Sequence, residues 1–328
     1  MPSKKTPKAP KKQITIESLD EETETVHISA KKLSAKSEAE PAFTPNPDHV
    51  LEFKVRNGKV FKDIFETMKN ILNYSNFRFT EGGMRLQTVD EEQEILINLT
   101  MEKEYFQYYH CNPSLYDKEK DLLRIGLDID KLQKIICICG TNWGMTWIVH
   151  KDRPGMLRII MENPTKTSRV TDDLPTMHIE SYDIDDNLDY GIPPKVNSVE
   201  FQKICKEMYK IGATKMEIKI SNDLISFRNL QDGEDSNGIA ARKWELHIDS
   251  LPTEDDAVPV VQEPVSGVFP LKLIRNFSKA SNVSTWVNIY LEKGLPLVCE
   301  YELNEFGVLR YMLSPYPEEG DEELEAEQ

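Results

Sequence analysis

The sequence predicts an α+β molecule built as two similar domains, each with two helices packed on antiparallel sheets. Three observations predict it. The stretch 197–212, NSVEFQKICKEMYKIG, is two-faced at the helical ~100° per residue. Phe201, Ile204, Cys205, Met208 and Ile211 share one arc, and Lys203, Lys206 and Lys210 gather opposite. The same pattern of apolar arc and basic stripe recurs elsewhere in the chain. Between the recurrences lie short alternating runs joined by turn residues, which read as hairpins.

Composition sets the outer bounds. A chain of 328 residues with 39% hydrophobic content accommodates two domains with good cores. No apolar run reaches the length a bilayer requires, and no hydrophobic segment follows the lysine-rich N-terminus. Neither a membrane span nor a secretory signal is expected, and the protein reads as intracellular. Five scattered cysteines point to reduced thiols packed as small hydrophobes. A net charge of −16 excludes a generally basic nucleic-acid coat, so any DNA contact must be confined to a patch of opposite sign.

In chain order, residues 1–48 read as a disordered tail. Its Lys4, Lys5, Lys8, Lys11 and Lys12 suit a nuclear-import signal, a loose phosphate tether or plain solubility. The first domain, 49–182, opens on the alternating strand 51–55. A helix over 58–72 sets Lys59, Lys62 and Lys69 opposite Val60, Phe61, Ile64 and Met68. Strands 77–80 and 84–88 flank Glu81-Gly82-Gly83, 94–101 extends the sheet, and 111–122 is a polar loop. A helix over 130–139 carries Lys131 and Lys134 beside Leu132, Ile135 and Ile136; strands 147–150 and 156–161 flank the turn DRPG.

The segment 183–196 is a connector whose acids and two prolines mark a linker, yet Ile184, Leu188, Tyr190 and Ile192 are more apolar than a spacer requires. They either offer a docking site or fold back over a sheet. The second domain, 197–316, repeats the order with the helix above and strands 215–220, 224–230 and 243–249. A helix over 270–281 follows, with Lys272, Arg275 and Lys279 opposite Leu271, Leu273, Ile274 and Phe277. Strands 286–291, 297–303 and 308–313 complete it. Residues 317–328, PEEGDEELEAEQ, read as an acidic disordered tail. Lys62 to Lys203, Lys69 to Lys210, Lys131 to Lys272 and Lys134 to Arg275 are each 141 residues, which reads as a duplicated domain.

Little in the chain points to catalysis. His110-Cys111 and Cys137-Ile-Cys139 lack the second pair a zinc site needs, and runs such as Asp90-Glu91-Glu92 suit solvated loops. No phosphate-binding glycine loop or nucleophile elbow is present. No cofactor, metal site or catalytic residue is expected; a metal-dependent enzyme is the remote alternative. For the helix at 197–212 taken alone, lysines paired to Glu200 and Glu207 on a solvated face are the plain alternative to a binding surface.

Three segments carry a family resemblance: VFKDIFETMKNILNYSNFRFTEGGMRLQTVD, GIPPKVNSVEFQKICKEMYKIG and FPLKLIRNFSKASNVSTWVNIYLEKGLPLVCEYELNEFGVLRYMLSP. They resemble the proliferating cell nuclear antigen (PCNA) family, the eukaryotic-type DNA polymerase sliding clamps, from about residue 51 to 315. The resemblance implies the DNA clamp fold and a homotrimeric ring that encircles double-stranded DNA without reading sequence. Lys59, Lys62, Lys69, Lys131, Lys134, Lys203, Lys206, Lys210, Lys272, Arg275 and Lys279 would line the hole. It also implies a pocket for the clamp-binding peptides of DNA polymerase, the clamp loader and other replication and repair enzymes. Its walls would be Val89, Gln93, Ile184, Leu188, Ile192, Pro296, Met312 and Pro315. Met312 stands where the family often has an aromatic and Gln93 where it often has histidine, which implies a different plug. Subunit contacts would use edges at 168–179 and 226–242. The resemblance is also consistent with a subunit of a heterotrimeric or checkpoint-type clamp, or a monomeric viral-style processivity factor. The implied location is the nucleus, or a viral replication site.

Overall fold

The computed structural model describes residues 43–115, 122–180, 184, 188–221, 224–230, 241–247 and 264–317. The expected tails lie outside the described residues, except for 43–48 and 317. Phe43 belongs to the fold rather than to a tail: its ring stacks on Tyr108 with centroids 3.9 Å apart.

The first half runs β1 (His49–Val55), α1 (Gly58–Met68), β2 (Tyr74–Thr80), β3 (Gly83–Val89), β4 (Ile95–Glu102), β5 (Tyr108–Cys111), β6 (Leu123–Asp128), α2 (Ile129–Ile136), β7 (Gly144–His150), β8 (Met156–Glu162) and β9 (Arg169–Pro175). The second runs β10 (Lys195–Asn197), α3 (Ser198–Lys210), β11 (Lys215–Ile220), β12 (Leu224–Leu230), β13 (Lys243–His247), β14 (Val265–Pro270), α4 (Leu271–Phe277), a 3-10 turn (Ser278–Asn282), β15 (Trp286–Tyr290), β16 (Leu297–Glu302) and β17 (Val308–Leu313).

Local chemistry fixes the helix ends. Asn57, Asp128 and Asn197 cap α1, α2 and α3 through side-chain oxygens that accept backbone N–H groups of the first turn. At the end of α3, Gly212 adopts φ +86, and its N–H and that of Ala213 are donated to Tyr209 O and Met208 O. That is a Schellman motif, and it stops the helix where the sequence places glycine. Helix α4 is shorter than the 270–281 expectation because the chain tightens into the 3-10 turn after Phe277.

The sheets order as β5-β1-β7-β8-β9, β10-β15-β16-β17-β4-β3-β2-β6, and β13-β12-β11-β14. The duplication is visible here. The run β10-β15-β16-β17 repeats β1-β7-β8-β9, and β13-β12-β11-β14 repeats β4-β3-β2-β6. The two domains share the central sheet, joined where β17 pairs antiparallel with β4. Gly307 makes that joint possible: a Cβ there would lie 2.1 Å from Thr100 O, and its φ is +135. Tyr311 of β17 crosses the joint, stacking on Phe277 and sharing a hydrogen bond of 3.0 Å with the Thr67 hydroxyl of α1. On the far side of the first domain, Phe53, Phe61, Phe65 and Trp147 pack into one buried aromatic cluster.

Three expectations are corrected. The common spacing of 141 residues between cations is not the structural repeat. The buried pairs Phe61/Phe201, Ile64/Ile204 and Met68/Met208 are 140 apart, whereas Ile129/Leu271 and Leu132/Ile274 are 142 apart. The basic stripes therefore recur as faces, not residue for residue. Second, β5, β6, β10 and β14 occupy stretches read as loop or left unassigned. Third, the open edge of the second domain is not 226–242. Strand β12 has β11 and β13 on its two sides, so the edge is β13 itself; residues 231–240 lie outside the described residues.

Candidate nucleic-acid interface and docking cleft

The four helices form one layer over the sheets. Within each domain the two helices pack side by side, and the domains meet where α1 touches the turn after α4. Of the expected cations, Lys59, Lys69, Lys131, Lys134, Lys203, Lys206, Lys210 and Lys272 are exposed, while Lys62, Arg275 and Lys279 are half-buried. Three of them converge at the domain joint. Burial, then the charges of Arg275 and Lys69, hold the Lys279 amine below the usual lysine range. Arg275 also lies over the ring of Tyr209 at 3.7 Å, and Lys279 Nζ donates to Asn276 at 3.0 Å.

The other stripes carry their own anions. Lys59 pairs with Asp63, Lys69 lies 3.8 Å from Glu66, and Lys134 pairs with Asp130. Lys131 Nζ is 3.0 Å from the capping Asp128, and Lys210 Nζ is 2.8 Å from Glu207. Lys206 donates to Gln202 at 2.6 Å. Helix α4 with its following turn, LKLIRNFSKASN, contains no acid, and Lys272 has no ion-pair partner among the described residues. Of the expected cations without an ion pair among the described residues, Lys272, Arg275 and Lys279 lie in this acid-free segment, and Lys62, Lys203 and Lys206 lie on α1 and α3. A second group that the periodicity did not reveal lies at the far end of α3, where Lys203 Nζ is 5.7 Å from the Trp244 ring and Arg242 is 4.0 Å from Glu207. Both come from an irregular, charge-mixed stretch with no helical period to flag it.

The connector folds back in part and stays exposed in part. Tyr190 folds back: its hydroxyl donates to Pro296 O at 2.7 Å and its ring packs on Tyr290. The Gln87 side chain clamps the Ile184 backbone, donating to its carbonyl at 2.8 Å and accepting from its N–H at 3.2 Å. Leu188 and Ile192 stay outside, 36% and 53% exposed. On the face of the central sheet away from the helices, cross-strand pairing lines up Val89, Leu96, Met312, Val298 and Tyr290. Val89 and Met312 therefore share one apolar row, with Leu96 between them. Beside it, a cleft of about 230 Å³ is lined by Ile71, Leu72, Tyr74, Val89 and Ile184.

The remaining expected walls are less gathered. Gln93 is exposed in the β3–β4 turn at φ +59, and Pro315 is exposed just before Tyr316, whose N–H is donated to Val268 O of β14. No hydrogen bond or ring contact among the described residues ties Gln93, Leu188, Ile192 or Pro315 to the apolar row. Leu96, Val298 and Tyr290 were missed, because their shared face depends on pairing β4, β17, β16 and β15 from both halves of the chain. As for metal chemistry, Cys137 is exposed while Cys139 is buried. Among the described residues no group of three or more His, Cys, Asp or Glu side chains could hold a metal ion.

Two repeated helix-on-sheet domains sharing a continuous sheet, with their helices in one partly basic layer, define the α+β clamp fold. The PCNA N-terminal domain model matches residues 50–186 and the PCNA C-terminal domain model matches 184–316. The proliferating cell nuclear antigen of Dictyostelium discoideum is 29% identical over 276 residues, covering 81% of this chain and 99% of that protein. The chain belongs to the PCNA family of sliding clamps, whose members are non-enzymatic scaffolds.

Proposed function

We propose that this chain is a DNA sliding clamp that closes as a homotrimer around duplex DNA in the nucleus and tethers replication and repair enzymes to it, without catalysis of its own. The observation that carries this reading is the helix layer: a molecule of net charge −16 keeps its acid-free basic segment, Lys272, Arg275 and Lys279 with Lys69 beside them, on a single face. Contacts of that kind attract phosphate and read no bases, which suits a protein that slides. Lysines, as flexible point charges, do not lock into bidentate geometry. Affinity then comes from encirclement, because a closed ring raises the effective concentration of whatever is bound to it.

Among the described residues the outer strands are β5, β6, β9, β10, β13 and β14, and of these β9 and β13 correspond, by the duplication, to β17 and β4 of the internal joint. Both open edges sit on one chain, so copies of this chain suffice to close a ring, which favours the homotrimer over a mixed clamp. Peptides carrying a hydrophobic plug would enter between the connector and the row Val89, Leu96 and Met312, with Gln93, Leu188, Ile192, Pro296 and Pro315 at its rim. Met312, 6% exposed and flexible, suits an adaptable floor. A primer-extension assay with a polymerase bearing a clamp-binding peptide tests this. The wild type should lengthen products, and Ile192→Ala with Pro315→Ala should abolish that stimulation while molar mass stays the same. Undiminished stimulation by the double variant would move the docking site elsewhere.

A further inference from the structure

Arg275 is the one arginine among the expected cations, and it is held differently from the lysines around it. Lys59, Lys131, Lys134 and Lys210 each lie against a carboxylate of their own helix or its cap. Such a partner steers a side chain, but it also cancels the charge and occupies the donors. Arg275 has no ion pair among the described residues; instead its guanidinium carbon lies 3.7 Å from the centroid of the Tyr209 ring. That ring comes from the last turn of α3, which packs beside α4. A guanidinium stacked in this way is restrained through its face, while its N–H donors lie in the plane, at its edge. The contact orients the cation without neutralising it.

The surroundings leave that edge free. Glu207, two residues before Tyr209, is engaged elsewhere, 2.8 Å from Lys210 and 4.0 Å from Arg242. Tyr209 is 44% exposed, and its hydroxyl makes no hydrogen bond among the described residues, so the ring face is what this side chain contributes. Arg275 also belongs to the cationic group at the domain joint, since it and Lys69 are the charges that act on the Lys279 amine. Three cations brought together repel one another, and the negative face of a ring under one of them offsets part of that cost.

We propose, resting on the sliding-clamp reading above, that Arg275 is a preset two-pronged grip on a phosphate of the duplex backbone and that Tyr209 is its positioning residue. The ring fixes the plane of the fork, and the edge meets two oxygens of one phosphodiester. The neighbouring lysines supply charge without orientation. Sliding is compatible with such a grip, because it reads no base and the same phosphate recurs at every step.

The test is fluorescence anisotropy of the full chain on a short duplex at several salt concentrations. Wild type should bind with an affinity that falls as salt rises. Arg275→Lys, which keeps the charge and loses the fork, should weaken binding about fivefold, and Tyr209→Leu should do the same. Tyr209→Phe should match wild type. Increasingly fluorinated phenylalanines at 209 keep the ring's shape but drain its negative face, so affinity should fall stepwise along that series. In an Arg275→Ala background every change at 209 should be silent, because the tyrosine acts through the arginine. Circular dichroism checks that each variant folds, and if Tyr209→Leu does not, the fluorinated series decides alone. A flat response to fluorination, or an equal loss from Tyr209→Leu with and without Arg275, would overturn the positioning role. Arg275→Lys binding as wild type does would overturn the grip. Wild-type binding that ignores salt would overturn the DNA reading itself.

Discussion

Lys279 sits where repulsion concentrates. Its amine is partly buried beside Arg275 and Lys69, and the fold holds its proton less firmly than water does. A cation held at that disadvantage works against the stability of the folded state unless its stem packing and its bond to Asn276 offset the repulsion. Lys279→Met should therefore raise the thermal midpoint at low ionic strength, and the gain over wild type should shrink as salt screens the repulsion. A lowered midpoint, followed by thermal unfolding at two salt concentrations, would mean the stem and the Asn276 bond outweigh the charge. Exposure was the most legible property of the expected stripe cations: each is exposed or half-buried. Their pairing was not. Lys131 meets Asp128 because that aspartate caps α2 with one oxygen and leaves the other free, a geometry that no charge count reveals. Tyr190 reads as a candidate docking residue in sequence, yet it is tied to Pro296, 106 residues away.

Helices differ in how much unmatched charge they offer. Helix α4 and its turn have cations and no acid, whereas α2 pairs Lys131 and Lys134 with Asp128 and Asp130. Lys272→Ala with Arg275→Ala should thus reduce the slope of log affinity against log salt by about 0.9 for each phosphate that is no longer neutralised. Lys131→Ala with Lys134→Ala should change it less. Fluorescence anisotropy with a short duplex measures both, and equal reductions would argue that the ion pairs open freely on binding. At this scale the helices were legible because their apolar spacing is unambiguous; α1, α2 and α3 also start on Asn or Asp caps, and α3 stops at Gly212. Short strands were not: β10 has three residues, and β14, VSGVFP, holds a glycine and ends in proline. Each becomes a strand only by pairing, with β15 and β11 respectively.

For the whole molecule, the decisive feature is repetition. One domain plan used twice gives a joint, β17 on β4, and leaves β9 and β13 in the corresponding places, each with one open side among the described residues. The same repetition puts four helices on one side and an apolar row on the other, so that a partly basic layer and an apolar row lie on opposite faces of one sheet system. Duplication was readable in the sequence from its helices, while the joint was not, because it pairs residues some two hundred positions apart, such as Leu99 and Leu309. The central claim is encirclement, and its most direct measurement is retention of the loaded protein on linear duplex with free or blocked ends in moderate salt. The protein should run off the free-ended duplex and stay on the blocked one. Equal loss from both would contradict a closed ring around DNA.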